Sequence, residues 1–266
     1  MTSEPRRWSF TDIEFYALWS ERTGGRLPFP LRYTARTADP DRFRRDMRQA
    51  RNELRDRLGT AFEPALTALT APDIRIGIGG SDHRDPDDPK SPTRLIGVRR
   101  ESRGVVVRTL PDENFWYSGG FTVVECDAVR LAEVMVANMP PCEMGKQSEV
   151  ILPARSPAAV PDRSLGGPAV HDSFAPTPAQ RSAAFLAVPA ERAGTIHVEQ
   201  GSSIYGPRGI ARFQLEWRDL VDDGRYLIRD SDPPVAVAAD ASVFTGTINS
   251  KIAQIVRVIK DERQRR

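Results

Sequence analysis

One order of elements occurs twice in this chain, and that recurrence constrains the fold more than any single motif. A strand-like pair at residues 94–100 and 104–110 leads through an aromatic and glycine-containing turn to a strand at 121–127 and then an amphipathic helix. Later, strand-like segments at 195–200 and 209–217 lead through Gly224-Arg225-Tyr226-Leu227 to 235–240 and a long terminal helix. Each unit closes on a Val-x-x-Asp-Ala step, at Asp127 and Asp240. That spacing far exceeds the roughly 20–50 residues of a solenoid repeat and suits two halves of one pseudo-symmetric platform. The reading is a single domain over 1–266, with halves at about 1–139 and 179–266 joined by a Pro-rich connection at about 140–178.

A chain of 266 residues can bury a sizeable core. Its 39% hydrophobic and 28% charged content is that of a globular protein, while 22 Pro and 19 Gly call for long ordered loops. Cys126 and Cys142, with three scattered histidines, make neither a disulfide framework nor a standard zinc site, so a reducing cytosol is expected. The polar N-terminus and the lack of an apolar run near ~20 residues argue against export and membrane insertion. A net charge of +2 supplies no global field toward nucleic acid or membranes, so partners must be chosen by local surfaces.

Trp8-Ser9-Phe10 reads as a short strand, and Thr11 with Glu14 as the capping box of a first helix. Leu27-Pro28-Phe29-Pro30-Leu31-Arg32-Tyr33 reads as an extended edge segment. Asp39 and Pro40 open a helix to Leu58 whose core face carries Phe43, Met47, Ala50 and Leu54. Beside that face, Arg44, Arg48, Arg51 and Arg55 form a stripe, but Asp46, Glu53 and Asp56 interleave with it; a solvated face is preferred to a nucleic-acid-binding one. Residues 73–78 alternate as a half-buried strand, and 81–92 read as an exposed, mobile, polar loop. Helices are expected at 179–188 and 240–262, the latter with Val243, Phe244, Ile248, Ile252, Ile255, Val256 and Ile259 on one apolar face.

Catalytic signatures are scarce. Gly77-Ile78-Gly79-Gly80 lacks the immediate helix a dinucleotide loop needs, and the acidic residues after it would repel a pyrophosphate, so flexible glycines at a strand end are the reading. The loop holding Asp82, His83, Asp85, Asp87 and Asp88 matches no metal-cage spacing. Cys126 stands near a helix start, a position that can lower a thiol pKa, and Cys142 lies in a loop, but an inert small residue is the reading for both. Phe115, Trp116 and Tyr117, and Tyr205, are turn aromatics that either close the core or anchor an interface.

Trp8-Ser9-Phe10 through the helix of Glu14, then Leu27-Pro28-Phe29-Pro30-Leu31, then Met139-Pro140-Pro141 with Gly145 and residues 148–153, then Trp217, Asp219 and residues 224–227, together resemble the EspG family of type VII secretion chaperones. The resemblance spans nearly the whole chain. It implies an α+β fold: a twisted, mainly antiparallel central sheet flanked by two helical bundles with approximate internal two-fold symmetry. It further implies a cytosolic, non-enzymatic protein without cofactors that binds PE-PPE heterodimers by masking the hydrophobic tip of the PPE helical hairpin. The family's partner docks near the central sheet and C-terminal bundle, with a loop that maps here to about 81–92. Carried over by region, the implied partner-binding residues are Ser81, Asp82, Asp85, Asp87, Trp116, Tyr205, Phe213, Phe244, Ile248, Ile252, Ile255 and Ile259. A groove with an apolar floor and polar rim is expected, and such a groove also favours a homodimer when cargo is absent. The alternatives are a hydrolase using the acidic loop and a nucleic-acid-binding module using the arginine stripe.

Overall fold

The computed structural model describes residues 6–154 and 176–265. In chain order the elements are β1 (Arg7–Phe10), α1 (Asp12–Thr23), α2 (Pro40–Leu58), α3 (Glu63–Thr70), β2 (Ile74–Asp82), β3 (Thr93–Arg100), β4 (Arg103–Leu110), β5 (Gly120–Asp127) and α4 (Leu131–Ala137). There follow β6 (Val150–Ile151), α5 (Pro178–Ala187), β7 (Ala190–Gln200), β8 (Arg212–Leu220), β9 (Gly224–Arg229), β10 (Val235–Ala238) and α6 (Ala241–Gln264). All ten strands join one sheet in the order β1-β5-β4-β3-β2-β7-β8-β9-β10-β6, and the paired strands run antiparallel.

The connectivity recurs: an edge strand, helix, four-strand meander, then a helix after an aspartate, first in β1 to α4 and again in β6 to α6. The recurrence is offset by one strand from the sequence reading. β2 has its counterpart in β7, so residues 94–100 correspond to β8 and 104–110 to β9. Asp127 precedes the helical turn leading into α4, and the Asp240 side chain accepts from Val243 N at 2.8 Å to start α6.

Side-chain alternation assigns the two faces. On one, Ile74, Ile76 and Ile78 of β2 join Ile196, Val198, Leu215, Trp217 and Leu227 beneath α4 and α6. On the other, Ile96, Val98, Val105 and Val107 pack under α1 and α3 with Phe15, Phe62 and Phe121. At the far end of that second face, Phe185 of α5 covers Tyr226, Ile228 and Ala236. The capping box forms as expected, Glu14 N donating to Thr11 Oγ1 and Thr11 N to Glu14 Oε2.

Two expectations are corrected. Residues 27–33 are not an edge strand; they form an irregular crossing over β2. The loop after β2 is tied down: Asp82 N donates to Ser91 O, Ser91 Oγ donates to Asp82 O at 3.0 Å, and turns at Asp85 and Asp88 close the rest. A third expectation, the Pro-rich connection at about 140–178, is described only in part: Val150 and Leu152 enter the core, and the Pro157, Pro161 and Pro168 portion, with His171, lies outside the described residues.

Candidate partner-binding surface

The meanders meet at the antiparallel β2–β7 pair. One side of this seam lies under α4 and α6, whereas on the other the helices cover only the outer strands. Thr195, His197, Glu199, Gln214 and Glu216 of β7 and β8 therefore stay partly or fully exposed there. Their only overlay among the described residues is the crossing at 28–31, and the β2 glycines explain how it sits so low. A Cβ on Gly79 would come within 2.9 Å of Phe29 Cζ, and one on Gly77 within 3.0 Å of Phe29 O. Gly80, pointing to the opposite face, makes the same room for Trp217. These glycines thin the sheet on both sides in mid-strand; they are not a flexible strand end.

Phe29, 57% exposed, forms one wall of a cleft of about 530 Å³ lined also by Pro28, Arg75, Gly77, His197 and Glu199. The Phe29 and His197 rings meet edge-on at 5.2 Å, and His197 Nε2 lies 3.2 Å from Thr195 Oγ1. Glu199 takes Arg75 at 3.2 Å and Arg212 at 3.5 Å, making a row of alternating charge across three strands. The strand side chains on its floor are thus polar, beside an aromatic wall. Polar residues remain here because no helix among the described residues covers them.

At the end of the sheet carrying the β2–β3 loop, the register places Asp82 opposite Arg192, Arg192 opposite Asp219, and Asp219 opposite Arg225. These four charges form a second alternating row, on the α6 side of the sheet. Asp82 lies 3.1 Å from Arg192, and Asp219 holds Arg225 through a fork of 2.6 and 2.8 Å. Arg225 also donates to Pro140 O and stacks near Trp217 and Phe244, while Arg192 donates to Pro141 O. Hydrogen bonds from Arg84, with Arg192 adding to them, hold the Asp82 carboxyl well below the usual carboxylate range. The row pins both the loop and the start of the inter-half connection to the sheet.

The expected partner-binding residues divide among several places. Phe244, Ile248, Ile252 and Ile255 are 6% exposed or less and pack against the sheet. They offer no surface to a partner: the apolar face of α6 is used up by the chain's own core. Ile259 is half-buried at its margin, and Phe213, on the same face, lies under the Lys251 ammonium at 4.7 Å. Tyr205, 57% exposed, sits in the β7–β8 loop, where its hydroxyl accepts from Arg265. That is the opposite end of the sheet from Ser81, Asp82, Asp85 and Asp87, a separation of roughly 26 Å along nine-residue β2. Trp116, 68% exposed, stands in the β4–β5 loop at the same end as the β2–β3 loop. Sequence reasoning missed Phe29, His197 and Arg75 as neighbours; the Pro-flanked Phe29 was the available signal, since an apolar residue between prolines has no strand of its own to pack in.

Among the described residues no group of three or more His, Cys, Asp or Glu side chains converges as a metal site. Burial pushes the Cys126 thiol up to about 11, opposite to the lowering that a helix start could bring. Along α2, Asp41 and Asp46 pair with Arg44 and Arg42, in keeping with a solvated face. No helix is long and apolar enough to cross a membrane among the described residues.

No curated protein matches the chain. A solved structure does: the Mycobacterium tuberculosis type VII secretion system chaperone EspG5, in complex with the PE25-PPE41 dimer, is similar with a TM-score of 0.55. Identity is 13%, over 93% of this chain and 96% of that one, a likeness of fold. The EspG family model matches residues 11–257, and the chain accordingly belongs to the EspG family.

Proposed function

We propose that this protein is a non-catalytic, cytosolic chaperone of type VII secretion that binds a PE-PPE heterodimer at the bare side of the β2–β7 seam. Family membership supports the class of function, and the similar EspG5 structure holds a PE25-PPE41 dimer. The observation that carries the placement is the cleft with Phe29 as its wall, on a strip of the sheet that no helix among the described residues covers.

The chemistry of that cleft suits the tip of a helical hairpin. A tip exposes apolar side chains and also the helix-end N–H and C=O groups that lack intrahelical partners. Phe29 supplies apolar contact, while Thr195, His197 and Gln214 supply donors and acceptors for the tip's backbone. The cleft alone is too small for a specific complex, which buries about 1,200–2,000 Å² in total, so the β2–β3 loop with Ser81, Asp85 and Asp87 completes the surface. Masking then follows from desolvating the tip, with rim polarity choosing among partners.

Co-expression with neighbouring PE-PPE pairs, then affinity purification and size exclusion, tests the reading. A stoichiometric ternary complex is expected, weakened by Phe29→Ala and His197→Ala with the circular dichroism spectrum unchanged. Pairs that elute apart from the wild-type protein would overturn it.

A further inference from the structure

Arg94, the second residue of β3, lies directly after the β2–β3 loop and opposite Gly79, the position over which Phe29 packs. Its guanidinium stands 5.5 Å from the Phe115 ring, which meets Trp116 edge-on at 5.6 Å. Thr34 Oγ1 donates to Trp116 O at 3.0 Å, bringing the strand crossing that carries Arg32 up to the same loop. Burial pulls the half-buried Arg94 below its ordinary pKa, and the charge of exposed Arg32 adds to it. Neither arginine has an ion-pair partner among the described residues, whereas Arg36, Arg75, Arg84 and Arg192 do. Thr109, on Arg94's face of β4, adds a buried hydroxyl with no hydrogen-bond partner.

Two like charges held together beside aromatic rings, one of them partly desolvated, are unfavourable in the free protein. A carboxylate from outside relieves both the repulsion and the burial cost, and the rings provide apolar contact around it. The same arrangement repels cationic segments, so it selects as well as binds. We propose that Arg32, Arg94, Phe115 and Trp116 form the docking patch for an acidic peptide segment of the cargo. This rests on the chaperone reading for the identity of the cargo, but the patch itself is testable without it.

Of the four tryptophans, Trp19 and Trp217 are buried and Trp8 is half-buried, so Trp116 is the most exposed to quenching solutes, and a Trp116→Phe control subtracts the share of Trp8. Iodide is expected to quench the wild-type protein more strongly than caesium, and the Arg32→Gln/Arg94→Met variant to lose that preference. Hexaglutamate should give a saturable change in Trp116 fluorescence, weakened by salt and absent from the double variant. Against a cognate PE-PPE pair, each single substitution should cost about tenfold in affinity and Arg94→Lys less. Equal quenching by both ions with no response to hexaglutamate overturns the patch, as does a double variant that binds the PE-PPE pair as tightly as wild type. An equal response to inorganic phosphate overturns the peptide assignment in favour of a free-anion site. Wild-type protein that answers hexaglutamate but binds no PE-PPE pair refutes the chaperone reading and leaves the patch standing.

Discussion

Replacing Asp219 by Ala should expose the energetics of the buried charge row. The side chains of Asp219 and Arg225 are 2% and 7% exposed, and the pair is joined by two charge-assisted hydrogen bonds. Without the carboxylate, Arg225 keeps only Pro140 O and the ring faces of Trp217 and Phe244, and Arg192 loses its 3.7 Å contact. Stranding a buried cation costs about 3–5 kcal/mol, against about 1 kcal/mol for losing an ordinary hydrogen bond. For a chain of this size each kcal/mol moves the melting temperature by about 2–4 °C, so a fall of roughly 10 °C is expected. Urea unfolding followed by circular dichroism measures the loss directly. The companion Asp219→Leu/Arg225→Met removes both charges and should recover most of the stability, because desolvation offsets much of the Coulomb gain in such pairs. A single variant that loses under about 1 kcal/mol, or a double variant as unstable as the single, would refute the reasoning.

The β2 glycines give a graded test. At Gly80 a Cβ meets the buried Trp217 ring at 2.4 Å and Ala193 O at 2.7 Å, whereas at Gly79 its nearest neighbour is the tip of exposed Phe29. Gly80→Ala should therefore cost about 1–3 kcal/mol and Gly79→Ala clearly less, and equal melting temperatures for the two would contradict the packing described. Ile255→Asp places a charge at a fully buried position and should unfold the chain; if it folds normally and loses only partner binding, α6 is a surface after all. Cys126 ionises near 9.0 when unfolded but only near 11 when folded. The folded state therefore favours the neutral thiol, and this contribution to stability is lost as pH rises from 9 toward 11. Alkylation at pH 8 should accordingly modify exposed Cys142 before Cys126, and equal rates would argue against the burial.

Local features were legible where the signal is local. The capping box at Thr11 and Glu14, the start of α2 at Pro40 and the alternation of β2 each depend on neighbours a few positions apart. The duplicated order was legible too, but its offset was not. β7 begins at Ala190, and its first residues Ala190-Glu191-Arg192-Ala193-Gly194 carry no apolar alternation, so the counterpart of β2 was hidden. The apolar face of α6 was read correctly as a face and wrongly as a surface, because periodicity reports that a helix buries one side without saying against what. The charge row was invisible for a different reason. Asp82, Arg192, Asp219 and Arg225 are far apart in the chain, and only strand register sets them side by side.

The connectivity itself accounts for where the candidate surface lies. Each meander receives a helical cover from the segment preceding it, α1 to α3 in one half and α5 in the other, and each cover rests on its own outer strands. The inner strands β2 and β7 are the first of their meanders and meet in the middle, beyond the reach of either cover. Among the described residues, a strip without helical cover on that face follows from the order of elements. The residues then decide its character. Alternation on β7 gives the covered side Ile196 and Val198 and leaves Thr195, His197 and Glu199 to water, while the glycines of β2 let the 28–31 crossing sink low enough for Phe29 to wall the strip. Adding a side chain at Gly77 must lift that crossing against backbone, since its nearest neighbour is Phe29 O, and so would move the wall without touching the floor. A Gly77→Val protein that remains folded but binds partner less well would separate the shape of the strip from its chemistry; unchanged binding would mean that the crossing has no part in recognition.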